Sequence, residues 1–179
     1  MNISFIGGGI MAEAIIRGIL GANIASSRDI SVSDPIKLRR QYLSETYDVS
    51  TYSSNVDVIS RSELVILSVK PQNLKEVVWE IKSNLSSKNT VVSIIAGASM
   101  QSLCKELEHN KVIRLMPNTP AQIGQGITVW TSSNEVSESE IESTRKILKT
   151  LGDEIYVAEE KYIDMATALS ASGPAYVFM

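Results

Sequence analysis

The feature that most constrains this chain is its first dozen residues, where a short apolar run, Asn2 to Ile6, feeds three consecutive glycines, Gly7-Gly8-Gly9, and then an apolar helical stripe. A buried strand that ends in glycines and opens a helix is the start of a βαβ unit. Gly7, Gly9 and Ala12 match the spacing G-x-G-x-x-G/A: the first glycine permits a tight turn, the second lets backbone approach a pyrophosphate, and the small third residue keeps helix close to sheet. The free N–H groups and positive end of that helix favour phosphate charge. Strand, turn, helix and spacing agree, so the turn is expected to hold a dinucleotide rather than merely to reverse the chain.

The rest of the chain continues the alternation. Apolar residues Ile10, Ala14, Ile15 and Ile19 follow helical spacing up to the Gly21 region. Ile30 to Ser33 reads as a second strand, and Asp34-Pro35 as the start of a polar helix. Further strands are expected at Val49 to Tyr52, Leu64 to Val69, Val91 to Ile95, Val112 to Met116, Ile127 to Thr131 and Ile155 to Val157. Helical stripes fall at Leu74, Val77, Val78 and Ile81, around Leu103 and Leu107, from Glu138 to Leu151, and from Tyr162 to Leu169. Strands separated by helices imply crossover connections and hence an α/β, doubly wound Rossmann-type sheet that is mostly parallel. Composition shifts near Glu159, which divides the chain into a dinucleotide-binding unit, 1–158, and the start of a helical unit, 159–179. The chain ends on an apolar run, Pro174 to Met179, read as the opening of an incomplete second domain whose exposed apolar residues favour self-association.

Composition narrows the function classes. With a formal net charge of −3, interspersed charges and 6% aromatics, there is neither the basic stripe nor the stacking surface that nucleic acid requires. The stretch from Ile10 to Leu20 is interrupted by Glu13 and Arg17, so no membrane span is expected. Cys104 is the only cysteine and His109 the only histidine, which argues against a disulfide, a zinc site or a histidine general base, and suits a reducing cytoplasm. Cys104 is expected in a helix core and His109 in a polar surface loop.

Several strand ends carry polar groups where ligands of open α/β sheets sit. Asp34 ends the second strand, where a carboxylate either hydrogen-bonds the ribose of NAD or caps the following helix. Lys37, Arg39 and Arg40 follow it and can offset its charge toward a 2′-phosphate, so NAD is favoured without excluding NADP. Ser68-Val69-Lys70-Pro71 ends another strand, with Lys70 either facing the ligand or solvated. Met116-Pro117-Asn118-Thr119-Pro120 is either a polar contribution to the cleft or an ordinary rigid turn.

Five segments together resemble pyrroline-5-carboxylate reductase: Phe5 to Ala12, Leu67 to Gln72, Ile95-Ala96-Gly97, Met116 to Pro120, and above all Leu169-Ser170-Ala171-Ser172-Gly173-Pro174-Ala175-Tyr176. The last is close to the family's signature, with Ala171 in place of its usual glycine. The resemblance implies NADPH or NADH as cofactor, with Ile6, Gly7, Gly8, Gly9, Ile10 and Met11 wrapping the pyrophosphate, and Asp34 beside the adenine ribose. It implies that Asn55 contacts the cofactor, that Ser68, Val69, Lys70, Pro71, Ile95, Ala96 and Gly97 line its nicotinamide half, and that Glu160 lies near the substrate. Many family members carry a small neutral residue where Asp34 stands, which leaves the choice between NAD and NADP open. The resemblance also implies reduction of 1-pyrroline-5-carboxylate to L-proline, and a further helical domain that forms a dimer, from which larger homo-oligomers are built. That domain would supply substrate-pocket residues absent here, so this chain alone is expected to bind cofactor without full activity. Hydride transfer to a protonated imine needs no strong general acid, so no catalytic residue is assigned. The alternatives are a non-catalytic NAD(P)-binding module and a dehydrogenase of the β-hydroxyacid type, which would need a catalytic lysine from the helical domain.

Overall fold

A computed structural model describes residues 1–171. Eight strands form one sheet: β1 (Ile3–Ile6), β2 (Ile30–Ser33), β3 (Ser50–Tyr52), β4 (Leu64–Leu67), β5 (Thr90–Ser93), β6 (Val112–Pro117), β7 (Gly126–Ser132) and β8 (Gly152–Tyr156). Their spatial order is β3-β2-β1-β4-β5-β6-β7-β8. The helices are α1 (Ile10–Gly21), α2 (Lys37–Tyr47), α3 (Val56–Ile59), α4 (Leu74–Ile81), α5 (Met100–Leu107), α6 (Glu138–Leu148) and α7 (Lys161–Ala166). The first six strands run parallel in the doubly wound order, so the expected fold class holds.

β7 is antiparallel to β6, and β8 returns parallel to β7. The reason lies in the connection. Between Pro117 and Gly126 there is only a short 3₁₀ turn, Thr119–Ile123, and a parallel partner would need a crossover of a dozen or more residues. A full helix, α6, separates β7 from β8 and restores the parallel sense.

Strand alternation sends side chains to two helical layers. Ile3 and Phe5 of β1 join Val32, Leu43 and the α1 residues Ala12, Ile15, Ile16 and Ile19 in one buried cluster, which also takes in Ile147 and Leu148 of α6. Ile6 points to the other face and packs with Val65, Leu67, Val77, Ile81 and Leu103, the side of α3, α4 and α5. Buried strands with near-continuous apolar runs, such as Leu64–Leu67, follow from covering both faces of a parallel sheet.

Two local expectations are corrected, and one element was not expected. α2 begins at Lys37 with Ile36 at its N-cap, so Asp34 and Pro35 precede the helix instead of forming its first turn. β4 closes at Leu67, and Ser68 and Val69 belong to the turn beyond it. The one-turn helix α3 carries no helical period long enough to stand out in the sequence. α7 matches the expected helix after Tyr162 and continues through Ala171 as a π-helical segment, Thr167–Ala171. The residues Ser172 to Met179, including most of the signature segment and the apolar chain end, lie outside the described residues.

Candidate functional site

The register of three neighbouring strands builds the site. Ile6 pairs with Ser33 on one side and Leu67 on the other, so Gly7, Asp34 and Ser68 are the first residues past three adjacent strand ends. Chain order reverses here, because β1 lies between β2 and β4, and such switch points are where α/β sheets hold ligands.

Gly7 has φ +95°, a conformation open to glycine, and its N–H donates to the Ser33 carbonyl at 2.9 Å. A Cβ there would lie 2.7 Å from the Ser68 carbonyl oxygen. Gly8 is confined by a side chain: a Cβ would meet the tip of the buried Leu43 at 2.7 Å. Gly9 differs: a Cβ added there would have nothing within 4 Å. It is the N-cap of α1 with no side-chain cap, so the first amides of α1, at Ile10, Met11 and Ala12, face an open cradle. This is the donor set and space that a pyrophosphate needs, and the residues fit such a group. Ala12 is fully buried, as close packing of helix on sheet requires, whereas Ile10 is 66% exposed over the cradle.

Asp34 is buried and doubly bonded: Oδ2 accepts the Gly8 N–H at 2.9 Å and Oδ1 the Ile36 N–H at 2.9 Å. It therefore ties the glycine turn to the end of β2 and does not cap α2. Arg39 reaches back across the turn, donating through Nε to the Gly8 carbonyl and through Nη2 to the Gly9 carbonyl at 3.2 Å and to Glu13 at 2.5 Å. Glu13 also accepts the hydroxyls of Tyr42 at 2.9 Å and Tyr47 at 2.8 Å. Burial alone would raise the Glu13 pKa, but the bonds from Arg39, Tyr47 and Tyr42 outweigh it and hold the carboxyl below its ordinary value. Burial and then Glu13 push the Tyr47 hydroxyl up to about 12. In the sequence Arg39 is only a nearby charge and Glu13 only a break in an apolar stretch, and nothing there marks Tyr42 or Tyr47. These residues meet only because α1 and α2 pack side by side.

Ser68 closes the turn from the β4 side, its hydroxyl donating to the Gly7 carbonyl at 2.7 Å, while Lys70 stands exposed beyond it. Asn55 precedes α3, accepts from Ser33 Oγ at 2.7 Å and donates to Glu80 of α4 at 2.5 Å. Gly7, Asn55, Val69, Glu76 and Glu80 line one cleft of about 300 Å³ that extends from the glycine turn. Past β5, Ile95 is buried and Ala96 and Gly97 are exposed, Gly97 at φ +76°. A larger concavity of about 750 Å³ lies behind α1, between Arg17, Gly18, Ile123 and Lys149, and contains none of the glycine-turn residues.

Glu160 lies away from the glycine turn, beside β6 and the start of α5. Its Oε1 accepts from Arg114 at 2.5 Å and from the Met100 N–H, at the start of α5, at 2.6 Å. Arg114, 3% exposed, also donates to Asp164 at 2.8 Å. Sequence reasoning overlooked Arg114, although a lone arginine inside the apolar run Val112 to Met116 is a signal, because a buried charge requires partners. Asn118 turns its Oδ1 to the Ile127 N–H at 2.9 Å and so braces the β6–β7 connection. His109 bonds the Asn89 carbonyl at 2.8 Å, and burial raises the Cys104 thiol above its ordinary range. Among the described residues there is no group of three or more acidic, histidine or cysteine side chains able to hold a metal ion. Among them, no helix is long and apolar enough to cross a membrane.

The family described as "NADP oxidoreductase coenzyme F420-dependent" matches residues 2–97. A pyrroline-5-carboxylate reductase of Glycine max is 37% identical over 178 residues, which cover 99% of this chain and 65% of that protein. The solved structure of a pyrroline-5-carboxylate reductase from Coxiella burnetii superposes with a TM-score of 0.92 at 32% identity, over 99% of this chain and 66% of the other. The Plasmodium falciparum pyrroline carboxylate reductase with NADP bound gives 0.86 at 29% identity, over 99% and 65%. This chain thus spans just under two thirds of the length of these relatives.

Proposed function

This chain belongs to the pyrroline-5-carboxylate reductase family, and on that footing we propose that it is the NAD(P)H-binding part of an enzyme that reduces 1-pyrroline-5-carboxylate to L-proline. The observation that carries the proposal is the open cradle over Gly9, preceded by Gly7, where a Cβ would meet the Ser68 backbone, and Gly8, where it would meet the Leu43 side chain. When bound, the reduced nicotinamide supplies the hydride that adds to the C=N carbon. The chain's own residues have simpler tasks: the α1 amides neutralise pyrophosphate charge, Asp34 meets the adenine ribose, and Ser68 to Pro71 with Ile95 to Gly97 place the nicotinamide. A protonated imine is already electrophilic, so orientation and exclusion of water suffice without a general acid from these residues.

We assign residues 1–158 to cofactor binding and regard the helical segment from 159 as the beginning of the substrate-binding, dimer-forming unit. Glu160 connects the two through Arg114 and Met100, at the edge where the substrate would enter. The substrate is a small molecule, the working form is a homo-oligomer built from dimers, and the single cysteine fits the cytoplasm.

The test is to titrate the chain with NADH and with NADPH, following nicotinamide fluorescence, and then to add 1-pyrroline-5-carboxylate and follow nicotinamide absorbance. Binding of at least one cofactor is expected, and turnover once the whole substrate pocket is present. Failure of both cofactors to bind would remove the proposal.

A further inference from the structure

Resting on the reading that this cleft takes a dinucleotide, we propose that it selects NADH over NADPH, through the fixed carboxylate of Asp34 and the commitment of Arg39 to Glu13 and the glycine turn. The two cofactors differ by one phosphate at the 2′ position of the adenine ribose, which adds nearly two negative charges at neutral pH. That ribose is expected at the end of β2.

The group found there cannot swing aside. Asp34 is 9% exposed, and each of its oxygens is held by a backbone N–H, from Gly8 and from Ile36. Those two amides would otherwise be the natural donors to a 2′-phosphate. Each carboxylate oxygen keeps a second lone pair, enough to accept from ribose hydroxyls. Glu76 and Glu80 line the cleft beside the glycine turn, together with Gly7, Asn55 and Pro35, the neighbour of Asp34, and add negative charge.

The cations nearby do not reverse this balance. Arg39 spends its Nε and Nη2 donors on the carbonyls of Gly8 and Gly9 and on Glu13, and its guanidinium lies 5.0 Å from the Tyr42 ring centre. Arg40 places Nη1 on the carbonyls of Asp34 and Pro35, at 2.7 and 3.0 Å. Lys37 is exposed at the start of α2, where solvent and salt screen it, while the buried Asp34 is screened far less. Glu13 thus acts on selectivity from a distance, by holding Arg39 where it is.

The experiment is a fluorescence titration of the chain with NADH and NADPH at one fixed salt concentration, for the wild type, Asp34→Asn and Glu13→Gln. The expected result is at least tenfold tighter binding of NADH by the wild type. Asp34→Asn should shrink that ratio about tenfold, mainly by improving NADPH, and Glu13→Gln should shrink it severalfold by freeing Arg39. Asparagine can orphan the Gly8 or Ile36 amide, so a measurement without variants accompanies it: 5′-AMP should displace NADH from the wild type better than 2′,5′-ADP does. Equal or tighter NADPH binding by the wild type, or better displacement by 2′,5′-ADP, would overturn the inference while leaving the dinucleotide reading intact. Binding of neither cofactor would instead remove the dinucleotide reading beneath it.

Discussion

Asp34 and Glu160 are both carboxylates set against one sheet, yet they are held in opposite ways. Asp34 is fixed by two backbone amides, one on each oxygen, and each oxygen keeps a second lone pair. Glu160 is fixed by a buried guanidinium and a helix-start amide, and its oxygen closes a junction of β6, α5 and α7. Backbone amides neutralise a charge partially and leave it available to hydroxyl groups. A full ion pair spends the charge on architecture. The first corner is suited to a ligand, the second to fastening the helix that leads out of the sheet.

The strongest way to break the first corner is Gly7→Ala. The positive φ and the approach to the Ser68 carbonyl predict a loss of about 3 kcal/mol in denaturant unfolding, with cofactor binding abolished. Arg114→Met attacks the second corner. Removing one partner of a buried pair is costly, but the Asp164 side chain is 68% exposed, so about 2 kcal/mol is expected. Its NADH-to-NADPH binding ratio should stay at the wild-type value. A changed ratio would show that the two corners are coupled and that Glu160 and Arg114 are not purely architectural.

A third carboxylate sharpens the contrast. Glu140 forms a capping box with Ser137 at the start of α6, and also accepts from Lys111 at 2.9 Å and Thr90 at 2.8 Å. Burial would raise its pKa, but the Ser137, Lys111 and Thr90 bonds lower it from 4.5 to about 2. A depressed carboxylate stabilises the fold above its unfolded pKa and loses that contribution as pH falls through the folded value. Stability should therefore decline between pH 4.5 and about 2, and Glu140→Gln should flatten that part of a stability-versus-pH curve. Ser137→Ala should cost about 1 kcal/mol at neutral pH in the same unfolding assay.

The smallest effect belongs to Tyr47→Phe, about 0.5 kcal/mol at neutral pH. The Tyr47 pKa rises from 10.0 to about 12, so its contribution is complete below pH 10 and fades as pH climbs toward 12. Denaturation midpoints measured across that window should converge for wild type and variant. A constant gap between them would dissociate Tyr47 from Glu13.

The fold was largely legible because parallel strands covered on both faces write near-continuous apolar runs, as at Leu64–Leu67, and amphipathic helices write a 3.6-residue period between them. The glycine turn was legible because Gly7 needs a positive φ against the Ser68 backbone and Gly9 leaves the start of α1 open. What escaped were contacts between distant segments. Arg39 and Glu13 are 26 positions apart, and Arg114 and Glu160 are 46 apart, so no local pattern marks either pair. The antiparallel β7 also escaped, since it turns on the length of the β6–β7 connection more than on residue type.

Local sequence encodes the alternating strands and helices, a tight turn that needs glycine at its first position, and the family to which the chain belongs. Each is encoded by neighbours along the chain, through periodicity, steric allowance or motif. The tertiary structure alone decided what each charged side chain is for. Asp34 serves the glycine turn and not a helix cap, Arg39 clasps carbonyls, and Glu160 fastens α7 to β6 and α5. The physical reason is that a charge takes its role from whatever partner folding places within about 3 Å of it, and chain position does not specify that partner.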